Sequence, residues 1–159
     1  QLRTSLDTLT LEANPALRIA KGVGADVASI LLIAVGDNPQ RLRSEAAFAA
    51  LCGVSPIEAS SGKTVRHRLN QGGNRQANHA LWRIALVRLS SDPATKAYAK
   101  RRRAEGKSTK EIIRCLKRYI AREIYRLLLN PTPVETSNTT DLRPARTEAR
   151  VRSRVAAVH

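Results

Sequence analysis

Aromatic side chains are scarce in this 159-residue chain and make up 3% of it. Apolar residues nevertheless reach 42%, so a core has to be built from Leu, Ile, Val and Ala. Such a core suits packed helices better than a β-sandwich, in which aromatic side chains are common. The composition therefore predicts an all-α fold.

Long apolar runs and metal-binding cysteine patterns are also missing. The longest apolar run, 30–35, is far shorter than the roughly 20 residues that cross a bilayer, so we expect no membrane partner. Cys52 and Cys115 lie in apolar helical stretches without the spacing of metal ligands. We expect two buried thiols in the reducing cytoplasm.

Acidic residues are few, and one long stretch has none. Twenty-eight Lys and Arg against thirteen Asp and Glu give a net charge of +15. No acidic residue occurs between Glu58 and Asp92. A surplus of this size favours a polyanionic partner over a merely solubilising surface, because each phosphate that is bound releases condensed counterions. The charge therefore predicts a nucleic-acid partner.

Hydrophobic periodicity and capping signals predict seven helical stretches. They cover 2–12, 16–20, 25–35 and 45–51, and three more begin at 75, 93 and 109. Residues suited to an N-cap precede five of them, namely Asn14, Ser44, Asn74, Asp92 and Ser108. The segment 54–73 is a loop broken by proline and glycine, with a short β-hairpin as an alternative.

These elements predict three parts. Residues 1–13 are the end of a linker helix, and 14–130 form a compact helical domain that ends in a long basic helix. Residues 131–159 combine Thr, Pro, Ser, Asn and Arg without periodicity. We expect them to be a disordered basic tail.

The stretch "LRIAKGVGADVASILL" resembles a helix-hairpin-helix, in which a Gly-x-Gly turn joins two short helices. Gly22 and Gly24 allow a tight turn, so that amides at the start of the second helix face a phosphate, and Lys21 adds a charge beside it. An ordinary glycine turn between helices is the alternative.

The loop and the helix start that follow Glu58 combine basic side chains with amides. The candidate nucleic-acid contacts are Lys63, Arg66, His67, Arg68, Asn70, Asn74, Arg75 and Asn78. This mixture fits a surface that grips a phosphodiester backbone. A plain solvated loop has less reason to exclude acidic residues.

Two adjacent serines, Ser60 and Ser61, stand at the start of this basic segment. A serine hydroxyl is a weak nucleophile unless a base or a metal activates it. His67 is available as a base, but a lone histidine among arginines more often contacts phosphate. Carboxylates that would hold a metal are missing here, so the residues alone do not favour a catalytic serine.

The helices from 93 onward carry many cations. Twelve of them are expected to face away from the apolar stripe: Lys96, Lys100, Arg101, Arg102, Arg103, Lys107, Lys110, Arg114, Lys117, Arg118, Arg122 and Arg126. Only Glu105, Glu111 and Glu123 oppose them. A nucleic-acid track and a solvated helix face are both consistent with this pattern.

Taken in order, "GVGADVASILLIAVGD", "RLRSEAAFAALCGVSP" and "SSGKTVRHRLNQGGNRQANHALWRIA", followed by the basic helix, resemble one family over 14–129. It is the C-terminal transposase domain of the insertion-sequence family numbered one-hundred-and-ten, with its relatives one-hundred-and-sixteen and nine-hundred-and-two and the Piv-type DNA invertases. The resemblance implies a DNA recombinase from a mobile element, guided by a bridge RNA. It makes 14–130 a transposase domain containing a helix-hairpin-helix.

The resemblance also implies a mechanism. The serine before glycine, Ser61, would attack a phosphodiester and form a phosphoserine link, with Ser60 as the competing register. Mg²⁺ would be held by an N-terminal RuvC-like domain, which is absent from this sequence, and the chain itself would hold no cofactor. The expected partners are DNA, a structured guide RNA and either further copies of the protein or a separate RuvC-like domain. Without that domain we expect the chain to be inactive.

Two other functions remain open. One is a non-catalytic helix-hairpin-helix module that binds DNA or RNA. The other is a structural RNA-binding protein of ribosomal type. A serine-dependent covalent adduct with DNA separates the transposase from both.

Overall fold

The computed structural model describes residues 2–58, 67–68 and 72–131, without the side chains of Arg41 and of the four strand residues. Within these ranges the helices are α1 (Leu2–Ala13), α2 (Pro15–Ile19), α3 (Ala25–Gly36), α4 (Glu45–Leu51), α5 (Arg75–Ser91), α6 (Pro93–Ala104) and α7 (Thr109–Leu129), with a 3-10 turn at Pro39–Leu42. The predicted all-α fold is confirmed. Two short strands, β1 (Ile57–Glu58) and β2 (His67–Arg68), pair antiparallel inside the predicted loop.

The predicted helix starts are confirmed in atomic detail. The side chain of Asn14 accepts a hydrogen bond from the Leu17 amide at 2.8 Å, ahead of the proline that begins α2. Ser108 and Glu111 form the expected reciprocal capping box. Each cap satisfies amides that have no partner inside the helix, which fixes where that helix begins.

The helix α5 lies at the centre of the fold and contacts α3, α6 and α7. Alanines occupy half of its buried positions, so neighbouring helices approach its backbone closely. Its buried residues are Ala77, Ala80, Leu81, Ile84, Ala85 and Arg88. The core is otherwise aliphatic, as the composition predicts, and Phe48 of α4 is its largest fully buried side chain.

Both ends of the predicted compact domain meet. The Ala16 amide donates to the Pro131 carbonyl at 3.2 Å, and the Asn14 side chain donates to the Leu127 carbonyl at 3.0 Å. The chain that follows α7 therefore starts beside α2. The predicted disordered tail is 131–159; its first residue, Pro131, is described and accepts the bond from the Ala16 amide, and residues 132–159 lie outside the described residues. Among the described helices, none is long and apolar enough to span a bilayer.

Candidate nucleic-acid interface

The two ends of the loop 54–73 are joined at their base. The chain enters the loop from the C-terminal end of α4 and leaves it at the start of α5. The Asn74 amide donates to the Leu51 carbonyl at 2.6 Å, which links the exit directly to α4. The loop is therefore presented from a fixed base formed by two helix ends.

Gly73 sits inside this base and has no room for a side chain. Its φ is +95°, in the left-handed region. A Cβ there would lie 2.7 Å from the Leu51 carbonyl oxygen and 2.8 Å from both the Ala50 oxygen and the Gly53 nitrogen. Glycine is required by both conformation and space. The sequence predicts Gly73 only as a helix breaker.

Asn78 closes the same base from the first turns of α5. Its Nδ2 donates to the carbonyls of Cys52 at 2.7 Å and Gly53 at 3.3 Å. Its Oδ1 accepts from Lys117 Nζ at 2.9 Å. Both polar atoms of the amide are thus engaged inside the protein. Asn78 therefore supports the loop base, and its predicted nucleic-acid contact stays a prediction.

Lys117 of α7 belongs to the same hydrogen-bond network. The sequence predicts its side chain on the outer basic face of that helix. It is partly buried instead, which lowers its pKa, and the charge of Arg114 lowers it further. Through Asn78, which donates to the Cys52 and Gly53 carbonyls, Lys117 is linked to the C-terminal end of α4. No sequence pattern indicates this contact, because Lys117 and Asn78 are 39 positions apart.

The serines and three of the predicted nucleic-acid contacts belong to the segments 59–66 and 69–71. Ser60, Ser61, Lys63, Arg66 and Asn70 lie outside the described residues. The backbones of His67 and Arg68 form β2, but their side chains are not described. The catalytic and contact roles of these residues stay predictions.

The two remaining residues of this group lie at the start of α5. The side chain of Asn74 accepts from the Ala77 amide at 2.9 Å and caps the helix. Arg75 follows it, is exposed, and has no ion pair within the described ranges. The first turn of α5 holds no acidic residue. Arg75 is therefore the one predicted contact with a described and unpaired charged side chain.

The predicted hairpin turn lies between α2 and α3, beside α5. Gly22 has a φ of +86°, and a Cβ there would lie 3.2 Å from Ile84 Cγ2. Gly24 is the residue before α3, with an ordinary φ of −84° and open space at its Cβ position. Of these two positions, only Gly22 requires glycine. Gly22 and Gly24 line an open depression of about 390 Å³ together with Asp26 and Arg83.

Lys21 does not lie free beside this turn. Its Nζ is 3.3 Å from Asp92 Oδ1 and donates to the Ser91 carbonyl at 3.2 Å, at the junction of α5 and α6. The cation at the depression is Arg83, whose Nη2 is 3.9 Å from Asp26 Oδ2. The sequence does not predict Arg83 as a residue of this turn, because its position there depends on the packing of α5 against α3.

The basic face of α6 and α7 is narrower than the sequence predicts. Arg118 and Arg122 pair with Glu45 of α4. Partial burial raises the pKa of Glu45, but the two arginines lower it below its ordinary value overall. Glu105 and Glu111 pair with three further cations. Seven cations of this face have no ion pair in the described part of the chain. Lys117 is one of them and bonds to Asn78, and the others are Lys96, Lys100, Arg103, Lys110, Arg114 and Arg126.

The cysteines and carboxylates offer no metal site where the structure describes them. Cys52 is buried, which raises its pKa to about 12, and Cys115 is half-buried. Asp26, Asp37 and Asp92 lie separately at helix ends. Within the described ranges, no three His, Cys, Asp or Glu side chains are close enough to hold a metal ion.

These features define a basic helical domain in which the loop 54–73 starts and ends at a base formed by α4 and α5. Residues 14–100 match the model of the family described as Transposase IS116/IS110/IS902. The chain belongs to this family of transposases. The match covers the hairpin turn, the loop and the whole of α5.

One curated relative is 34% identical over 110 residues. It is the insertion element IS110 uncharacterized 43.6 kDa protein of Streptomyces coelicolor. The alignment covers 68% of this chain and 27% of the relative. The chain thus spans about a quarter of the length of that relative.

Proposed function

We propose that this chain is the DNA-binding, serine-bearing part of a transposase that acts in DNA transposition. Membership of the transposase family supports the reaction class. The observation that carries the proposal is the loop base, where Gly73 and Asn74 fasten the exit of the loop to the end of α4. A nucleophile has to be held within a fraction of an ångström of its target, and a fixed base restricts the loop that bears it.

Ser61 attacks the phosphorus of a DNA phosphodiester, with Ser60 as the competing register. A bond forms between the serine oxygen and phosphorus, and the bond from phosphorus to one sugar oxygen breaks. That oxygen leaves as a strand hydroxyl after it takes up a proton. The phosphoserine link keeps the phosphodiester energy, so a hydroxyl of another strand can reverse the attack without ATP. Cations of the loop offset the charge of the phosphate.

The activating metal comes from outside this sequence in our proposal. Mg²⁺ would be held by a RuvC-like domain of the same or another subunit, and there it would supply Lewis-acid chemistry toward the phosphate and the attacking group. A guide RNA sets the target, and several subunits assemble on the DNA. This chain contributes the serine, the loop base and exposed cations such as Arg75.

The proposal is tested by adding the chain to supercoiled DNA with Mg²⁺, a RuvC-like domain of a family member and its guide RNA. A covalent protein–DNA adduct is expected on denaturing gels. The adduct should be lost in Ser61→Ala and kept in Ser60→Ala. Neither substitution changes a residue of the loop base, so the difference between the two variants reports on the attacking hydroxyl. Cleavage by the chain alone that survives Ser61→Ala would contradict the mechanism.

A second candidate is a non-catalytic helix-hairpin-helix module. It is favoured by the turn at Gly22, where Arg83 and the start of α3, which has no side-chain cap, line one depression. Such a turn binds a phosphate through backbone amides and needs no serine. In the same experiment this candidate predicts DNA binding without any adduct. Weakened binding in Arg83→Gln, with an unchanged loop, would support it.

A further inference from the structure

Trp82 differs from the other aromatic residues in its exposure. All five aromatic residues fall within the described ranges, and Trp82 is 38% exposed. Phe48 and Tyr98 are buried, at 1% and 4%, and the other two tyrosines are half-buried. A chain with so few aromatic side chains would be expected to use its largest one in the core. It places that side chain on the surface instead.

Trp82 shares the outer face of α5 with His79. Their rings are stacked, with centroids 5.2 Å apart and an interplanar angle of 26°. Arg75 and Leu86 lie on the same side at helical spacing, opposite the buried stripe of α5. The result is a flat aromatic pair held in place by a rigid helix.

The charge around this pair suits a nucleic acid. No acidic residue occurs on α5, and Arg75 and Arg83 lie on either side of the rings along the helix. Arg83 also has an acidic neighbour on α3, since its Nη2 is 3.9 Å from Asp26 Oδ2, so Arg75 is the one of these two cations without an ion pair in the described ranges. Seven positions separate Trp82 from Arg75, which is about 10 Å along the helix axis. A strand held at the loop base is therefore close enough for one of its nucleotides to reach the rings.

We propose that His79 and Trp82 form a stacking platform for an unpaired base of the DNA strand that the loop engages. Every base has a π-face, but only an unpaired base can offer it, because bases inside a duplex are already stacked. Arg75 and the lack of acidic residues on α5 favour a phosphate-bearing partner over an apolar protein surface. The proposal rests on the proposed function, since it assumes that the loop binds DNA.

The single tryptophan makes the platform directly observable. Titration of the full chain with a 12-nucleotide thymidine strand should quench its fluorescence, whereas heparin, which offers charge without bases, should not. Anisotropy of a labelled strand gives the affinities of the variants. Trp82→Ala should weaken single-strand binding about 5- to 150-fold, the equivalent of one lost stacking contact. Trp82→Phe should keep most of the affinity.

Two matched controls isolate stacking from fold and charge. Leu86→Ala removes an equally exposed apolar side chain one turn further along α5 and should change single-strand binding less than about twofold. Trp82→Ala should bind heparin and a duplex of the same length as the wild type does. Equal melting temperatures confirm that both variants fold.

Several results would overturn the platform. One is an equal loss for single strand, duplex and heparin, and another is no loss in Trp82→Ala. Stacking of an RNA strand but not of a DNA strand would reject DNA as the partner. Self-association that disappears in Trp82→Ala would mark the face as a protein contact. Failure of the proposed function is distinct, since it would appear as a missing Ser61-dependent adduct whatever Trp82 does.

Discussion

Arg88 of α5 and Glu123 of α7 form a two-pronged ion pair, with nitrogen–oxygen distances of 2.7 and 2.9 Å. The Arg88 side chain is 5% exposed and that of Glu123 is 33% exposed. Arg88 Nε also donates to the Lys21 carbonyl at 2.8 Å. The Arg88 side chain thus links α5 both to the hairpin turn and to α7.

Arg88→Ala should lower the free energy of unfolding by about 3 kcal/mol, because it leaves Glu123 and the Lys21 carbonyl without their partner. Urea unfolding measures this as a lower midpoint with an unchanged slope. The control is Lys107→Ala, which removes an exposed pair with Glu111 and should cost less than about 1 kcal/mol. Equal losses in the two variants would show that burial of the Arg88 pair contributes nothing.

Gly73→Ala should destabilise the loop base more than a matched glycine substitution. Gly106 also has a positive φ, of +85°, but nothing lies within 4 Å of its Cβ position. Gly106→Ala should therefore cost only the strain of the left-handed conformation, about 1–2 kcal/mol. Gly73→Ala should add roughly 1–3 kcal/mol from the clash with backbone atoms. Urea unfolding of both variants checks the difference, and equal costs would mean that the close approach at Gly73 relaxes freely.

The contact between Asn78 and Lys117 should appear as an energetic coupling. Asn78→Ala should lower the free energy of unfolding by about 1–3 kcal/mol, since two carbonyls lose their donor. In a double-mutant cycle with Lys117→Met, the two changes should couple by about 0.5–3 kcal/mol. Trypsin should also cut the segment 59–71 faster in Asn78→Ala, because the loop base is weakened.

Lys110→Met provides the matched control for that cycle. Lys110 lies on the same helix as Lys117, is exposed, and has no acidic partner in the described part of the chain. Its coupling to Asn78 should be below about 0.5 kcal/mol, as expected for distant sites. Similar coupling for both lysines would mean that the contact with Asn78 has no energetic role.

The sequence predicts those parts of the fold that depend on local signals. The caps at Asn14 and Ser108 act within one turn, so their residues identify the helix starts without tertiary information. The apolar stripe of α7 likewise predicts the burial of Leu116 and Ile120, which the structure confirms. Arg88 recurs at helical spacing with Leu81, Ile84 and Ala85, so the same periodicity places it on the buried side of α5. The periodicity does not identify Glu123 as its partner.

The parts that the sequence does not predict depend on contacts between distant segments. Gly73 has to be glycine because the carbonyls of Ala50 and Leu51 in α4 lie where its Cβ would be. Lys117 is partly buried because its ammonium group bonds to the Asn78 amide of α5. The Lys21 ammonium group pairs with Asp92, which is 71 positions away, and not with a group of the hairpin turn. Side-chain chemistry alone identifies cations, but only packing decides which of them remain free for a partner.

Asp92 links the cap of α6 to Lys21, and its substitution should separate the two roles. Its side chain accepts from the Thr95 amide at 2.8 Å and from the Thr95 hydroxyl at 2.6 Å. Asp92→Ala should lower the free energy of unfolding by about 1 kcal/mol through loss of the cap. Asp92→Asn should cost less, because asparagine also caps helices, and should lose mainly the ion pair with Lys21. Urea unfolding at pH 7 compares the two variants.

The pH dependence of the same pair of variants tests the charge of Asp92. Partial burial raises the pKa of Asp92, but the hydrogen bonds from Thr95 and the ion pair with Lys21 bring it below its ordinary value. A carboxylate with a lowered pKa stabilises the fold above its ordinary pKa, and that contribution is lost as the pH falls through the folded-state pKa. The difference in stability between the wild type and Asp92→Asn should therefore be complete at pH 7 and shrink below about pH 4. Urea unfolding at pH 7, 5 and 3 measures it, and a difference that stays constant across this range would show that the charge of Asp92 does not stabilise the fold.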